Sequence, residues 1–235
     1  MGLEGVKVLQ GKRIAVTGAL GALGTVVVRA AAAAGANVAA IARTSAGKAP
    51  AQPRGVVLFG DTDIGDASAA EAALLAIAQQ LGGLDALVNI AGGFRWGKVA
   101  NSGVDIWDQM HRTNLLTAVN ATRAALPLMS VNGRIIYIGA AGSVKAGAGM
   151  GPYAASKAGV AKLTEALAEE VKDRNITVNA ILPSVIDTAA NRADMPKSDF
   201  TRWVQPEQIA DLIVFLLSDR ASAITGALIP ITGRT

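Results

Sequence analysis

Tyr153 and Lys157 are the residues of this chain whose types and spacing most directly suggest chemistry. They lie four positions apart in the run GPYAASKAGVAKLTEALAEEV, whose apolar residues recur with helical spacing. A helix advances about 100° per residue, so the two side chains share one face. An ammonium beside a phenol favours the phenolate, and we expect it to lower the pKa of Tyr153 until the phenol can give or take a proton. Taken alone, such a pair more often merely shares a helix, so its meaning depends on the rest of the chain.

The segment 12–43 predicts an element that binds a dinucleotide. It reads as a strand (Ile14 to Val16), a glycine-rich turn, an alanine- and valine-rich helix, and a second strand (Val38 to Ile41). Glycines let the backbone turn tightly and approach a diphosphate, which would lie at the positive N-terminal end of the helix. The glycines in question are Gly18, Gly21 and Gly24.

The end of the second strand indicates which cofactor is preferred. A site for NAD usually has Asp or Glu there, and its carboxylate hydrogen-bonds the ribose 2′-hydroxyl. Here the strand ends Ile41-Ala42-Arg43, without a carboxylate, and Arg43 can make a charge-assisted contact to a 2′-phosphate. The sequence therefore favours NADP(H), with NAD as the alternative.

Strands and helices alternate along the remainder of the chain. Beyond the two strands above, strands are predicted at 56–59, 86–88, 134–138, 177–182 and about 227–231, and helices at about 67–81, 104–129, 153–173 and 206–218. This alternation predicts an α/β fold with one seven-stranded parallel sheet covered by helices on both faces, in a single domain over residues 1–235. Residues 184–203 are longer than an ordinary connection, and we predict an irregular lid that becomes ordered when a ligand binds.

Composition excludes several classes of function. The chain has no cysteine and one histidine, His111, so thiolate sites, disulfides and multi-histidine metal sites are excluded, and no metal is predicted. The net charge is +4, but basic residues are scattered and do not alternate with aromatic residues, which argues against nucleic-acid binding. No apolar run is long enough to span a membrane, and the N-terminus has no hydrophobic signal core. We expect a cytoplasmic protein that acts on a small molecule.

Several separated motifs together resemble the short-chain dehydrogenase/reductase family over almost the whole length. The resemblance rests on Thr17-Gly18-(x)5-Gly24, Asp63-Ile64, Asn89-(x)-Ala91-Gly92, Asn114, Tyr153-(x)3-Lys157, Asn179-Ala180-(x)2-Pro183, Thr188 and Ile224-Thr225-Gly226. It implies a doubly wound Rossmann-type fold and an NADP-preferring carbonyl reductase or alcohol dehydrogenase. It also implies a homotetramer or homodimer formed through the helices near 104–129 and 153–173.

The resemblance implies a role for each matching position. Tyr153 would be the acid/base, Lys157 would bind the nicotinamide ribose and assist Tyr153, and Asn114 would support a helix kink and a proton-relaying water. The other expected cofactor-binding residues are Gly18, Gly21, Ala22, Leu23, Gly24, Arg43, Asp63, Ile64, Asn89, Ala91, Gly92, Pro183, Ile186 and Thr188.

One departure from the family pattern concerns the mechanism. The family's catalytic serine lies thirteen residues before the tyrosine, and that position is Ala140 here. Ser143 is the nearest hydroxyl, but it would need a distorted loop to reach the site. Otherwise Tyr153 acts alone, with a water or with a backbone amide.

A narrower resemblance, to the quinonoid dihydropteridine-reductase-like branch, fits that departure because this branch also lacks the serine. It covers the loop from Gly18 to Gly24, Gly147-Ala-Gly-Met150 and the segment from Leu182 to Trp203. Two alternatives to a carbonyl reductase therefore stay open. One is a reductase of a quinonoid ring, and the other is a nucleotide-binding regulator that has kept the fold without the chemistry.

The loops after strands four, five and six are expected to form the substrate pocket. The main candidates for substrate contact are Phe94, Trp96, Ala140, Met150 and Trp203, although both tryptophans could instead pack beneath a long loop. Arg95, Lys145, Asn191, Arg192 and Met195 lie in the same loops. If Arg95 and Arg192 both faced inward, a planar or acidic substrate would be favoured, because guanidinium pairs with carboxylate and stacks on rings.

Overall fold

The computed structural model describes residues 7–235. Within that range, seven parallel strands form one sheet in the order 3-2-1-4-5-6-7. Their bounds are β1 (Arg13–Thr17), β2 (Asn37–Ile41), β3 (Val56–Phe59), β4 (Leu84–Asn89), β5 (Met129–Ile138), β6 (Thr177–Pro183) and β7 (Leu228–Ile231). The central strands read as nearly continuous apolar runs because helices bury both of their faces. The predicted α/β fold with a doubly wound parallel sheet is confirmed.

The described part of the chain contains seven α-helices. They are α1 (Ala22–Ala33), α2 (Ala67–Leu81), α3 (Val104–Met110), α4 (Thr117–Ala125), α5 (Gly151–Glu170), α6 (Ala189–Asp194) and α7 (Pro206–Leu217). Helices α1 and α7 pack together over one face, and α2, α4 and α5 lie over the other. Their contact surfaces are rich in alanine, which allows the helices to approach the strands closely. No helix of residues 7–235 has the length and apolarity needed to cross a bilayer.

The order of the strands creates the crevice in which the site lies. Strand β1 pairs with β2 on one side and β4 on the other, so the chain reverses direction across the sheet at this point. The loops that follow β1 and β4 therefore diverge at the carboxyl edge, where open α/β sheets bind their ligands.

Three predicted segments differ from the structure. The helix predicted at 104–129 is interrupted by a π-helical turn (His111–Leu116), and β5 begins at Met129, earlier than predicted. Such π turns are not encoded by hydrophobic periodicity, which continues through them. The segment 184–203, predicted to be irregular, contains α6 and the 3-10 turn Phe200–Arg202.

Charged residues are paired at the amino edge of the sheet, opposite the site. Arg13 donates to Asp85 from Nε at 2.8 Å and from Nη2 at 2.6 Å, and its Nη2 also donates to Ser130 at 3.0 Å. Partial burial acts to raise the pKa of Asp85, but the hydrogen bonds from Arg13 outweigh it and hold that pKa below its usual range. This pairing joins the beginnings of β1, β4 and β5.

Candidate active site

The turn after β1 can pack closely against neighbouring backbone only because Gly18 and Gly24 have no side chain. Gly18 has φ +65°, and a Cβ there would lie 2.8 Å from the amide nitrogen of Ala91. A Cβ on Gly24 would overlap the carbonyl oxygen of Gly18, because α1 begins directly against the turn. The amide groups of the first turn of α1 therefore face a concave backbone that suits a diphosphate.

Thr17 fixes the next loop against this turn. Its Oγ1 accepts hydrogen bonds from the amide groups of Ile90 at 3.1 Å and Ala91 at 3.2 Å. The side chain at the end of β1 thus sets the position of the loop that follows β4 and forms the opposite wall of the cleft.

A cleft of about 650 Å³ extends from the glycine turn along the carboxyl edge. Predicted cofactor residues that line it are Gly18, Gly21, Ala22, Leu23, Gly24, Arg43, Asp63, Ile64, Ala91 and Gly92. The sequence reasoning missed others, notably Thr44, Thr62, Arg112, Thr113 and Thr117. Thr44 and Thr62 follow the ends of β2 and β3, so the rule that ligands bind at the carboxyl ends of strands could have found them. Thr113 and Thr117 share a helix face, but nothing in the sequence marks that face.

Asn89 does not line the cleft surface. It is 5% exposed at the end of β4, and neither its Oδ1 nor its Nδ2 has a hydrogen-bond partner among residues 7–235. Pro183, Ile186 and Thr188 lie apart from the cleft walls, at the end of β6 and the beginning of the segment that follows. Their role in holding the nicotinamide stays a prediction.

The π-helical turn places Asn114 against both the β4 loop and α5. Its side chain accepts from the Gly93 amide at 2.9 Å and donates to the Gly93 carbonyl at 3.0 Å. It also donates to Ser156 Oγ at 3.0 Å, and that hydroxyl in turn donates to the carbonyl of Tyr153 at 2.7 Å. Asn114 is therefore rigidly held and connects the turn to the beginning of α5.

Gly92 joins the cofactor cleft to the Tyr153–Lys157 pair. It lines the cleft, and a Cβ there would lie 2.7 Å from Asn114 Oδ1 and 3.4 Å from Lys157 Nζ. Lys157 is 5% exposed, and its Nζ donates to the carbonyl of Ile138 at 2.7 Å. Asn114 and Lys157 thus meet at one end of the cleft, and Tyr153 lies one helical turn before Lys157 on α5.

The pKa of Tyr153 is shifted in the direction opposite to the one predicted from the sequence. Burial raises the pKa of Tyr153 to about 12 and lowers the pKa of Lys157 to about 8. The expected depression by Lys157 does not appear because burial disfavours both charged forms and the ammonium is directed to the Ile138 carbonyl. Tyr153 is therefore protonated at neutral pH, which suits a proton donor.

The comparisons with known proteins agree with this geometry. A family model described as Enoyl-(Acyl carrier protein) reductase matches residues 18–233. The 3-oxoacyl-(acyl-carrier-protein) reductase FabG of Pseudomonas aeruginosa is 37% identical over 248 residues, covering 96% of this chain and 97% of that protein. The cyclic-di-GMP-binding biofilm dispersal mediator protein of Escherichia coli is 33% identical over 231 residues, covering 95% and 96%.

A solved structure shows the same fold with a cofactor. The short chain dehydrogenase from Burkholderia cenocepacia, determined in complex with NADP, is 30% identical and has a TM-score of 0.85 over 96% of this chain and 98% of that one. The chain belongs to the short-chain dehydrogenase/reductase family. It is accordingly an NAD(P)-dependent oxidoreductase.

Ala140, where the family resemblance predicts a serine, has a buried methyl group in this short-chain dehydrogenase/reductase. Ala140 is 5% exposed and follows β5 in an extended conformation. The hydroxyl of Ser143 donates to the carbonyl of Ala140 at 2.6 Å, within the 3-10 turn Ala141–Ser143. Ser143 is thus engaged by its own turn.

Phe94, one of the predicted substrate residues, contacts the ring of Tyr153. Their ring centroids are 5.0 Å apart with the rings at 78°, an edge-to-face contact. Trp96 donates from Nε1 to the Ala148 carbonyl at 3.0 Å and packs on Gly149, so the β4 loop is fastened to the loop before α5. Met150 occupies the N-cap of α5.

Trp203 and Arg192 are used within the segment 184–203. Trp203 is 6% exposed and packs on Phe200, with ring centroids 4.7 Å apart. Arg192 lies over the ring of Phe200 and pairs with Asp187 at 2.5 Å and 2.7 Å. Trp203 therefore packs within this segment, and Arg192 is paired with a carboxylate of the same segment. A substrate contact from Trp203 stays a prediction.

Proposed function

We propose that this protein reduces a small-molecule carbonyl with NADP(H), with Tyr153 as the proton donor. The observation that carries the proposal is the contact at Gly92, where the cofactor cleft meets Asn114 and Lys157. A protein that only bound the nucleotide could also use Lys157 to hold a ribose, so what favours catalysis is that Tyr153 lies one helical turn before Lys157 on the same face of α5.

The residues of the cleft fit NADP(H). The glycine turn would hold the diphosphate, because the absence of side chains at Gly18 and Gly24 lets the turn pack closely against Ala91 and the start of α1 beside the cleft. Arg43 lines the cleft where a 2′-phosphate would bind, and Ala42 stands where an NAD site has a carboxylate. When bound, the cofactor supplies the hydride.

The chain itself handles the proton. Tyr153, with a pKa of about 12, presents a protonated hydroxyl that can donate to the oxygen of the substrate carbonyl. Lys157, with a pKa of about 8, is mainly protonated at pH 7. Its ammonium can donate to ribose hydroxyls and can stabilise the phenolate that Tyr153 becomes after it has donated its proton. Asn114 holds the Gly93 backbone and Ser156, and so fixes the approach of the β4 loop to α5.

Replacing Arg43 with alanine is expected to raise the Kd for NADPH by about 10–100-fold, because a charge-assisted hydrogen bond to the 2′-phosphate is lost. The Kd for NADH should change little, since NADH has no such phosphate. Isothermal titration calorimetry with both cofactors measures this, with Arg54→Ala as a control at an exposed arginine outside the cleft. Wild-type protein that bound NADH as tightly as NADPH would overturn the assignment of Arg43.

The segment 184–203 is proposed to close over the substrate. Thr188 caps α6, and Asn191 Nδ2 donates to the Ile186 carbonyl at 2.8 Å. Gln205 adds a third hydrogen bond to Asp187, at 3.0 Å. The segment is therefore held in a defined conformation by its own hydrogen bonds, unlike the predicted irregular loop.

Replacing Asp187 with asparagine is expected to speed amide hydrogen exchange in residues 186–204, because Arg192 loses a bidentate partner. Hydrogen bonds from Arg192 and then Gln205 lower the pKa of Asp187 to about 2. The carboxylate therefore stabilises the segment above its ordinary pKa of about 4, and this stabilisation is lost as pH falls towards 2. Over that pH window, the protection factors of residues 186–204, which correct for the pH dependence of intrinsic exchange, should fall in the wild-type protein and change less in Asp187→Asn. Equal protection factors in the two proteins at neutral pH would contradict the stabilising role of Asp187.

A substrate panel tests the proposed function directly. Ketones, a 3-oxoacyl thioester, quinones and a quinonoid dihydropterin are each supplied with NADPH, and its oxidation is followed. We expect turnover of carbonyl compounds, and turnover confined to the quinonoid compounds would favour the dihydropteridine-reductase-like alternative. Cofactor binding without turnover of any compound would favour a nucleotide-binding regulator, a reading that the methyl group at Ala140 supports.

A further inference from the structure

The mouth of the proposed site carries an exposed apolar wall. Phe94 is 53% exposed and Trp96 is 55% exposed, although both are fastened to neighbouring groups. Val144, on the facing loop, is 78% exposed. Large apolar side chains held in water at one place usually mark a surface that binds an apolar group.

This wall is held in a fixed position relative to Tyr153. Phe94 contacts the ring of Tyr153, and Trp96 is tied to Ala148. The amide of Gly97 donates to the carbonyl of Gly149 at 2.8 Å, so a backbone hydrogen bond joins the two loops directly. Flat aromatic faces held rigidly beside the proton donor suit a flat substrate better than a hydrated, flexible one.

The same two loops are cationic. Residues 90–103 and 139–150 contain three basic residues, Arg95, Lys98 and Lys145, and neither Asp nor Glu. None of the three makes an ion pair with any residue between 7 and 235. Arg192, in contrast, is neutralised by Asp187. The mouth therefore has positive charge that is not compensated locally, where it can pair with an anionic ligand.

We infer that the site takes a flat, aromatic-sized carbonyl compound that carries a carboxylate or similar anionic group. Phe94 and Trp96 receive the ring, and Arg95 with Lys145 receives the anionic group at the mouth. The inference rests on the proposed function, because it takes the carbonyl to lie at the Tyr153 hydroxyl. Lys98 contributes less directly, since its Nζ lies 6.0 Å from the Trp96 ring centroid and is associated with that face.

A matched pair of ketones tests the inference. The probes are 4-acetylbenzoate and its neutral counterpart 4-methylacetophenone, with the branched aliphatic ketone 3-methyl-2-butanone as the non-aromatic reference. We expect kcat/KM to be highest for 4-acetylbenzoate and lowest for the aliphatic ketone. The double variant Arg95→Gln/Lys145→Gln should lower kcat/KM for 4-acetylbenzoate about tenfold or more and leave 4-methylacetophenone unchanged.

Two further variants separate the two parts of the inference. Trp96→Leu should raise KM for both aromatic ketones and not for the aliphatic one, and Trp96→Phe should restore most of the loss. Arg29→Gln, at an exposed position on α1, is the matched control for loss of charge. Equal kcat/KM for the charged and neutral aromatic ketones, or an equal loss of kcat/KM for both in the double variant, would overturn the preference for an anionic group. Equal kcat/KM for the aromatic and aliphatic ketones would overturn the preference for a flat ring.

Binding measurements keep this test distinct from that of the proposed function. Calorimetric titration of the NADP⁺-loaded protein with each ketone reports affinity without turnover. Tighter binding of 4-acetylbenzoate that depends on Arg95 and Lys145, without any NADPH oxidation, would sink the proposed function and support the binding preference. Turnover of all three ketones at similar rates would support the proposed function and overturn the binding preference. Absence of both binding and turnover would contradict both proposals.

Discussion

Replacing Tyr153 with phenylalanine is expected to lower kcat by about 10²–10⁴-fold for any substrate of this protein, because the variant has no proton to donate. The Kd for NADPH should be unchanged, since the glycine turn, Arg43 and Lys157 are all retained. Steady-state kinetics and calorimetric titration with NADPH measure the two effects separately. A loss of kcat accompanied by lost cofactor affinity would instead mean that Tyr153 acts mainly by shaping the site.

The chain offers a matched control for this substitution, because it has only two tyrosines. Tyr137 is fully buried beneath α4, and its hydroxyl lies 2.6 Å from Thr122 Oγ1. Tyr137→Phe should lower the free energy of unfolding by about 1 kcal/mol through loss of that hydrogen bond and leave kcat unchanged. If Tyr153→Phe retained wild-type kcat, the proton would have to come from another group.

Replacing Ala140 with serine is expected to raise kcat for carbonyl reduction, by up to about 10²-fold. Removing one positioned donor to a developing oxyanion typically lowers kcat by about 10²–10³-fold, and this substitution supplies such a donor. Ala140 is suited to the test because it is buried at the end of β5, two residues beyond the carbonyl that accepts from Lys157. The comparison is of kcat for one ketone in both proteins at saturating NADPH.

Ala141→Ser provides the control for Ala140→Ser, because it adds a hydroxyl one position away with the same change in size. Ser143→Ala completes the set, since the hydroxyl of Ser143 is bonded to the Ala140 carbonyl and should contribute little to kcat. A fall in kcat for Ala140→Ser would show that the pocket is shaped around the methyl group. A large fall for Ser143→Ala would show that this hydroxyl reaches the substrate after all.

The parts of the site that the sequence predicted are those fixed by short-range rules. Gly18 and Gly24 are readable because only glycine fits the turn between β1 and α1. Tyr153 and Lys157 are readable because helical spacing alone brings them to one face. The parallel pairing of the strands follows from the alternation of strands and helices, since parallel strands need crossover helices.

The remaining features depend on contacts between distant segments. The π-helical turn at Asn114 is set by its bonds to Gly93 and Ser156, and no local pattern indicates it. The raised pKa of Tyr153 follows from burial, which spacing cannot report. The sequence places Arg192 in a loop expected to form the substrate pocket, but its pairing with Asp187 arises only once α6 has folded.

The pairing of Arg13 with Asp85 and Ser130 has a consequence for how this protein can change. The polar contacts that tie β1, β4 and β5 together lie at the amino edge, whereas Phe94 and Trp96 lie on loops at the carboxyl edge. If Phe94 and Trp96 contact the substrate as proposed, residues that stabilise the sheet and residues that select the substrate lie at opposite edges. We then expect substitutions in these loops to change substrate preference without disturbing the strands that support the cleft.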